Sequence, residues 1–171
     1  MANVLEAKPR VGYFYLQDNL QLTNFEEIYN KKVNEIKSVP VVAKEETSVY
    51  NAIVTLFLED VGSLFIINDE DALVGVVSRK DLLKITMGDT DINQVPVSVA
   101  MTRMPNIITI QADDTVFQAA KRLVNYEIDA LPVVEDLTDE LGNSLEDKLK
   151  VIGRISKTNI ARVFVDFGLE I

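Results

Sequence analysis

The chain has 171 residues, 47% of them hydrophobic, with 17 basic and 27 acidic side chains and a formal charge of −10. It contains no Cys and no His, which excludes disulfides, thiolate nucleophiles, cysteine metal sites and imidazole acid–base chemistry. The acidic balance repels a phosphate backbone on average, and no apolar run reaches the ~18–20 residues of a membrane span, so a cytoplasmic protein without direct membrane or nucleic-acid contact is expected.

The opening residues Met1–Lys8 carry no basic-then-apolar signal pattern. Val11-Gly12-Tyr13-Phe14-Tyr15 is apolar and aromatic. Thr23 followed by Glu26 has capping-box spacing, and Phe25, Ile28 and Tyr29 form a helical stripe. A helix docking on the segment that follows is expected here. Val39-Pro40-Val41-Val42 reads as a short extended stretch, and Glu45-Glu46-Thr47-Ser48 as a helix-capping turn. Val49, Ala52, Ile53, Leu56 and Phe57 then recur at helical spacing. Ser63–Ile67 is continuously apolar after its first residue and predicts a strand buried on both faces. A second strand over Leu73–Val77 and a helix from near Lys80, with Leu82, Leu83 and Ile85 facing inward, complete the unit.

The unit then repeats. Ser48-Val49-Tyr50-Asn51-Ala52-Ile53 matches Thr115-Val116-Phe117-Gln118-Ala119-Ala120 at an offset of 67, which also aligns Leu64 with Leu131 and Phe65 with Pro132. Gly75-Val76-Val77-Ser78-Arg79-Lys80-Asp81 matches Gly153-Arg154-Ile155-Ser156-Lys157-Thr158-Asn159 at an offset of 78. The 11 extra residues fall in the acidic stretch Asp136–Lys150, a solvated loop or a longer hairpin. In the second copy Ile107–Ile110 is extended, and a helix carries Val116, Ala119, Ala120 and Leu123. Strands follow at Leu131–Val134 and Val151–Ile155. A last helix from near Thr158 turns Ile160, Val163 and Phe164 inward. The pattern predicts a mixed α/β (α+β) fold of two β-α-β-β-α repeats, each too short for a comfortable core alone, packed with pseudo-twofold symmetry. The expected organisation is an N-terminal linker and docking helix over 1–32, a first repeat over 33–93 and a second over 94–171.

Two copies of β-α-β-β-α, each ending in Gly-x-x-Ser-x-x-Asp/Asn, resemble the CBS motif pair, or Bateman module, over about residues 33–168. Pro9–Tyr15, Phe57–Gly62, Leu73–Leu83, Met101–Ile107 and Ile128–Val133 are further similar to the ligand-sensing region of the CcpN-type repressors of gluconeogenic genes. The resemblance implies a non-catalytic domain that binds an adenine nucleotide (ADP, ATP or AMP) as ligand, with no catalytic cofactor and no metal. It also implies a homodimer. That family places a helix-turn-helix domain ahead of the CBS pair. Residues 1–10 are too short to hold one, so DNA is expected to be reached only through a domain this chain lacks.

The resemblance places the nucleotide between the repeats. Asp81 and Asn159 would bond the ribose hydroxyls; an ionised carboxylate accepts, whereas an amide both donates and accepts. Ser78 and Ser156 would reach a phosphate or cap the following helix. Arg79, Lys157 and Arg103 are the expected phosphate partners, with Lys80 and Arg154 close by. The adenine would rest on Val39, Pro40, Asn106, Ile107, Asp129, Ala130 and Pro132, with Gly62 and Ser63 as first-repeat counterparts. Phe65 in place of a proline would crowd one cleft, leaving one good site and one poor one.

Three other readings compete. An enzyme lacks the necessary chemistry, having neither His nor Cys nor a P-loop, Rossmann or zinc-hydrolase motif. A CBS module controlling an enzyme or transporter through protein contact differs only in its partner. A dimerisation module with empty clefts leaves Asp81 and Asn159 unexplained.

Overall fold

The computed structural model describes residues 22–139 and 141–169. In chain order these form helices α1 (Leu22–Asn30) and α2 (Val33–Ile36), strand β1 (Val42–Lys44), α3 (Val49–Leu58), β2 (Ser63–Ile67), β3 (Leu73–Ser78) and α4 (Arg79–Thr86). A 3-10 turn over Val97–Val99 follows, then β4 (Thr102–Arg103), β5 (Ile110–Gln111), α5 (Val116–Asn125), β6 (Ala130–Thr138), β7 (Ser144–Ser156) and α6 (Lys157–Leu169). Val11–Tyr15 and the side chains of Thr23 and Phe25 lie outside the described residues.

Two sheets result, ordered β1-β2-β3-β4 and β5-β6-β7. In each, the first strand runs parallel to the second and the second antiparallel to the third, so the two repeats share one topology. β2 is apolar on both faces because both are covered. Leu64 and Ile66 point into the cluster under α3 and α4, while Phe65 packs with Leu73, Ile107 and Val134 between the sheets. Fully burying each such side chain contributes about 1.5–3 kcal/mol. Ser48 and Thr115 cap α3 and α5, accepting from the Asn51 and Gln118 amides. The insertion is a longer hairpin, not a loop: Glu135–Thr138 pairs with Ser144–Lys150, and Lys150 bridges to Ala72 at the β2–β3 turn.

The repeats interlock. Val33 is fully buried with Ile110, Ala119, Leu123, Leu131, Val133 and Ile155 of the second repeat. Its amide donates to the Asp114 carbonyl at 2.9 Å, and the Val116 amide donates to Lys31 at 2.8 Å. In mirror fashion, Val97 is fully buried in the first repeat's cluster, donates to Thr47 at 2.8 Å, and lies beside Val95, which accepts from Val49 at 2.8 Å. The opening residues of each repeat therefore complete the core of the other.

This corrects the expected docking of the opening helix. α1 lies along α5, with the Tyr29 and Phe117 rings 4.6 Å apart, and so docks on the second repeat rather than the first. A helical stripe states that one face is buried but not which of two like surfaces buries it.

Two expected inward residues also face out. Leu83 and Phe164 are 55% and 54% exposed, while Leu82 and Val163 are buried. Neighbouring residues on a helix are ~100° apart, so Leu82 and Leu83, or Val163 and Phe164, cannot share one narrow inward stripe.

Candidate functional site

The site begins at two helix ends. α3 and α5 finish with a left-handed residue, Asp60 (φ 48°) and Glu127 (φ 53°). The next amides, of Val61 and Ile128, each donate back to Leu56 and Leu123 at 3.1 Å. This is the Schellman arrangement that stops a helix and turns the chain sharply. It delivers Gly62–Ser63 and Asp129–Ala130 to the start of β2 and β6, where the halves meet: a Cβ built on Gly62 would lie 4.0 Å from the Asp129 Cβ.

Directly opposite them, at the ends of β3 and β7, the two Gly-x-x-Ser-x-x-Asp/Asn patterns are capping boxes. Ser78 Oγ accepts from the Asp81 amide at 3.3 Å, and Asp81 Oδ2 accepts from the Ser78 amide at 3.0 Å and its hydroxyl at 2.6 Å. Ser156 and Asn159 repeat this at 3.3, 2.9 and 2.6 Å. Both serines therefore serve as caps. The first amides of the two helices tie back to the central loops, Arg79 donating to the Gly62 carbonyl at 3.1 Å and Lys157 to that of Asp129 at 3.2 Å.

The two copies then diverge. Asp81 keeps Oδ1 beyond its cap, 3.8 Å from Lys84 Nζ. Asn159 uses Oδ1 for its cap and donates Nδ2 to the Ile36 carbonyl at 3.2 Å. A carboxylate has no proton for such a bond, which gives Asp and Asn different duties at matching positions.

A cavity of about 390 Å³ opens between the repeats on the Asp81 side. The first repeat supplies Gly62, Ser63, Val76, Ser78, Arg79 and Lys80. Thr102, Asn106, Ile107 and Ile108 come from the chain entering the second repeat, and Glu127–Ala130 with Pro132 close the far wall. The strand register explains the floor: Ser63 opposes Ser78, and Val76, two residues before Ser78, shares its face. One buried side-chain polar atom among the described residues lacks a hydrogen-bond partner, and it is Ser63 Oγ.

Charge is paired around this cavity. Lys157 Nζ donates to Asp129 Oδ1 at 2.8 Å. That bond holds the Asp129 carboxyl below its usual range, and Lys80 and Arg79 from the other repeat add to the effect. Arg79 Nε donates to the Val61 carbonyl at 3.0 Å, and its outer nitrogen lies 3.7 Å from Asp60. No group of three or more acidic, His or Cys side chains among the described residues is arranged to hold a metal.

Of the residues singled out from sequence, the structure brings Ser78, Arg79, Asn106, Ile107, Asp129, Ala130 and Pro132 together around the cavity. Asp81 stands behind Ser78. Lys157 reaches the rim through Asp129. Arg103 is turned elsewhere, donating to the Ser98 carbonyl at 2.8 Å and pairing with Glu45 at 3.4 Å. Val39 is 83% exposed, and it and Pro40, like Ser156 and Asn159, belong to the opposite side of the molecule's pseudo-twofold.

On that opposite side, Ser38 and Arg154 exchange backbone hydrogen bonds at 2.9 Å, and Arg154 Nε donates to Ser38 Oγ at 3.4 Å. Partial burial lowers the Arg154 pKa, with Asp60 opposing. Arg154 occupies the position that Val76 fills in the cavity. Phe65 does not project into either cleft; its ring is fully buried between the sheets. The lining residues Val76, Thr102, Ile108, Glu127 and Ile128 were not anticipated. Val76 was readable, because strand alternation puts it on the same face as Ser78.

Comparison with known proteins agrees with this geometry. A family model described as CBS domain matches residues 33–88 and 97–166. The Transcriptional repressor CcpN of Bacillus subtilis (strain 168) is 45% identical over 168 residues, covering 98% of this chain and 76% of that protein. The L-aspartate semialdehyde sulfurtransferase of Methanocaldococcus jannaschii is 26% identical over 125 residues, 73% of this chain but only 21% of the enzyme. Among solved structures, the CBS domain pair of protein MJ0100 in complex with 5′-methylthioadenosine and S-adenosyl-L-methionine superposes with a TM-score of 0.62 at 26% identity, covering 80% of this chain and 97% of that one. CBSX2 in complex with AMP superposes at 0.61 and 26% identity, covering 81% and 98%.

Proposed function

The chain belongs to the CBS-domain family, as a tandem pair related to the repressor CcpN, and from that premise we propose that it senses an adenine nucleotide for a transcriptional repressor of gluconeogenic genes. The observation that carries this reading is the cavity of about 390 Å³ lined by Gly62, Ser63 and Ser78–Lys80 of one repeat and by Asn106–Ile108, Ile128–Ala130 and Pro132 of the other. A ligand spanning it touches both repeats at once and so favours one arrangement of them over others.

In this reading Val76, Ile107, Ile128 and Pro132 hold the adenine. Asp81 accepts from the ribose hydroxyls through Oδ1, and Arg79 and Lys80 face the phosphates of AMP, ADP or ATP. The named ligands of the structural relatives share an adenosine group, which supports adenosine as the recognised part. Asp129 would repel phosphate unless it stays paired with Lys157. The opposite cleft, with Arg154 for Val76 and the Asn159 amide committed to Ile36, is the poorer site, so one nucleotide binds per chain.

The role is regulatory rather than catalytic, in the cytoplasm, and DNA is contacted by another domain of the repressor. No described helix is long and apolar enough to cross a membrane. The chain forms a homodimer through the outer helical faces. Phe57 and Leu58 are 83% and 73% exposed there, beside an apolar groove lined by Ile53, Leu56, Leu82 and Leu83. A second reading, a module controlling an enzyme by contact, is favoured by the sulfurtransferase relative, whose remaining length lies outside this match.

Calorimetric titration with AMP, ADP and ATP tests the proposal. One site per chain is expected, weakened at least about tenfold by Asp81→Ala. No heat and no thermal shift with any of the three would overturn it.

A further inference from the structure

The Ser63 hydroxyl is out of place for a structural residue. Ser63 is 7% exposed and lines the cavity, yet its Oγ has no hydrogen-bond partner. Burying a hydroxyl without a partner costs stability, and the matching position in the second repeat carries Ala130, which has no such group. The fold therefore does not require a hydroxyl there. The side chain shares the inter-sheet face with Phe65 and Val76, and directly opposes Ser78, whose own hydroxyl is bonded to Asp81. Rotation about χ1 moves Oγ between staggered positions, and the cavity lies beside this residue.

Building on the nucleotide-sensor reading, we propose that Ser63 is a specificity-determining contact: its hydroxyl hydrogen-bonds the nucleoside part of the bound nucleotide. The nucleoside is favoured over the phosphates because Ser63 stands across the strand pair from the Ser78–Asp81 cap, at the ribose corner. Arg79 and Lys80 lie past that cap, on the following helix.

The test compares wild type with Ser63→Ala by calorimetry against ADP and against adenosine, with a thermal melt of each unliganded protein. The expected result is a roughly tenfold loss of affinity for both ligands, with an unliganded melting temperature unchanged or higher. Loss for ADP alone would assign the hydroxyl to phosphate and overturn the nucleoside contact. Affinities equal to those of wild type for both ligands, with or without a lowered melting temperature, would make Ser63 merely structural and overturn the proposal while leaving the sensor reading intact. Failure of the wild type to bind either ligand would instead remove the sensor reading itself.

Discussion

The side-chain amide of Asn159 donates to the backbone carbonyl of Ile36 at 3.2 Å, across 123 residues of sequence. It joins the first turn of α6 to the end of α2, the element that opens the first repeat but sits on the second. The same side chain caps its helix through Oδ1. Asp81, its counterpart, performs only the second task.

Asn159→Asp should separate these tasks. The carboxylate retains the cap but has no donor for Ile36, so a loss of about 1 kcal/mol is expected in urea unfolding. Amide exchange should accelerate over residues 33–38, with little change elsewhere. Asn159→Ala loses the cap as well and should cost about 1 kcal/mol more.

The interlocked cores make a crossed prediction. Val33→Ala should destabilise by about 2 kcal/mol, with protection lost first in α5 and β6 of the second repeat. Val97→Ala should do the same to α3 and β2 of the first. Hydrogen exchange followed by mass spectrometry reads both. Protection lost instead in the repeat to which each residue belongs would contradict the exchange of segments.

Gly75 and Gly153 occupy matching positions but differ in what covers them. A Cβ at Gly75 overlaps the Met101 side chain, which is 8% exposed and part of the first core cluster. At Gly153 it meets the aliphatic stem of Lys37, a half-exposed side chain whose ammonium group donates to Asn34 in an exposed hydrogen bond. Gly75→Ala should therefore cost about 1–3 kcal/mol, measured by chemical denaturation, and Gly153→Ala less.

The Asp129–Lys157 pair predicts a pH response. The hydrogen bond from Lys157 lowers the Asp129 pKa in the folded state. A carboxyl depressed on folding contributes stability that is present above its unfolded pKa, about 3.9, and is lost as pH falls through the folded value. Nothing should change near neutrality. In Lys157→Met the Asp129 titration midpoint, followed by carboxyl NMR, should rise, and the acid limb of the stability curve below about pH 4 should flatten. Both side chains are more than half exposed, at 54% and 74%, so the effect on stability should be small.

Much of this protein was legible in the residues alone. Ser63–Ile67 is a strand because an uninterrupted apolar run of that length fits only a segment covered on both sides, and the structure covers it with helices on one face and the other sheet on the other. Ser48 and Thr115 cap because a hydroxyl at that position satisfies an amide left over by helix geometry. The paired Gly-x-x-Ser-x-x-Asp/Asn patterns announced the two-repeat architecture, since local hydrogen bonding and hydrophobic period are both written in short range. What the sequence could not decide was which surface meets which. Val33 and Val97 are interchangeable as apolar side chains, and only the path of the chain through space sends each to the opposite repeat. Likewise Asp81 and Asn159 read as equivalent until the Ile36 carbonyl, brought near by that crossing, claims the one proton-bearing amide. Periodicity records the burial of a face, but its partner is chosen by tertiary packing, where distant segments compete for the same apolar surface.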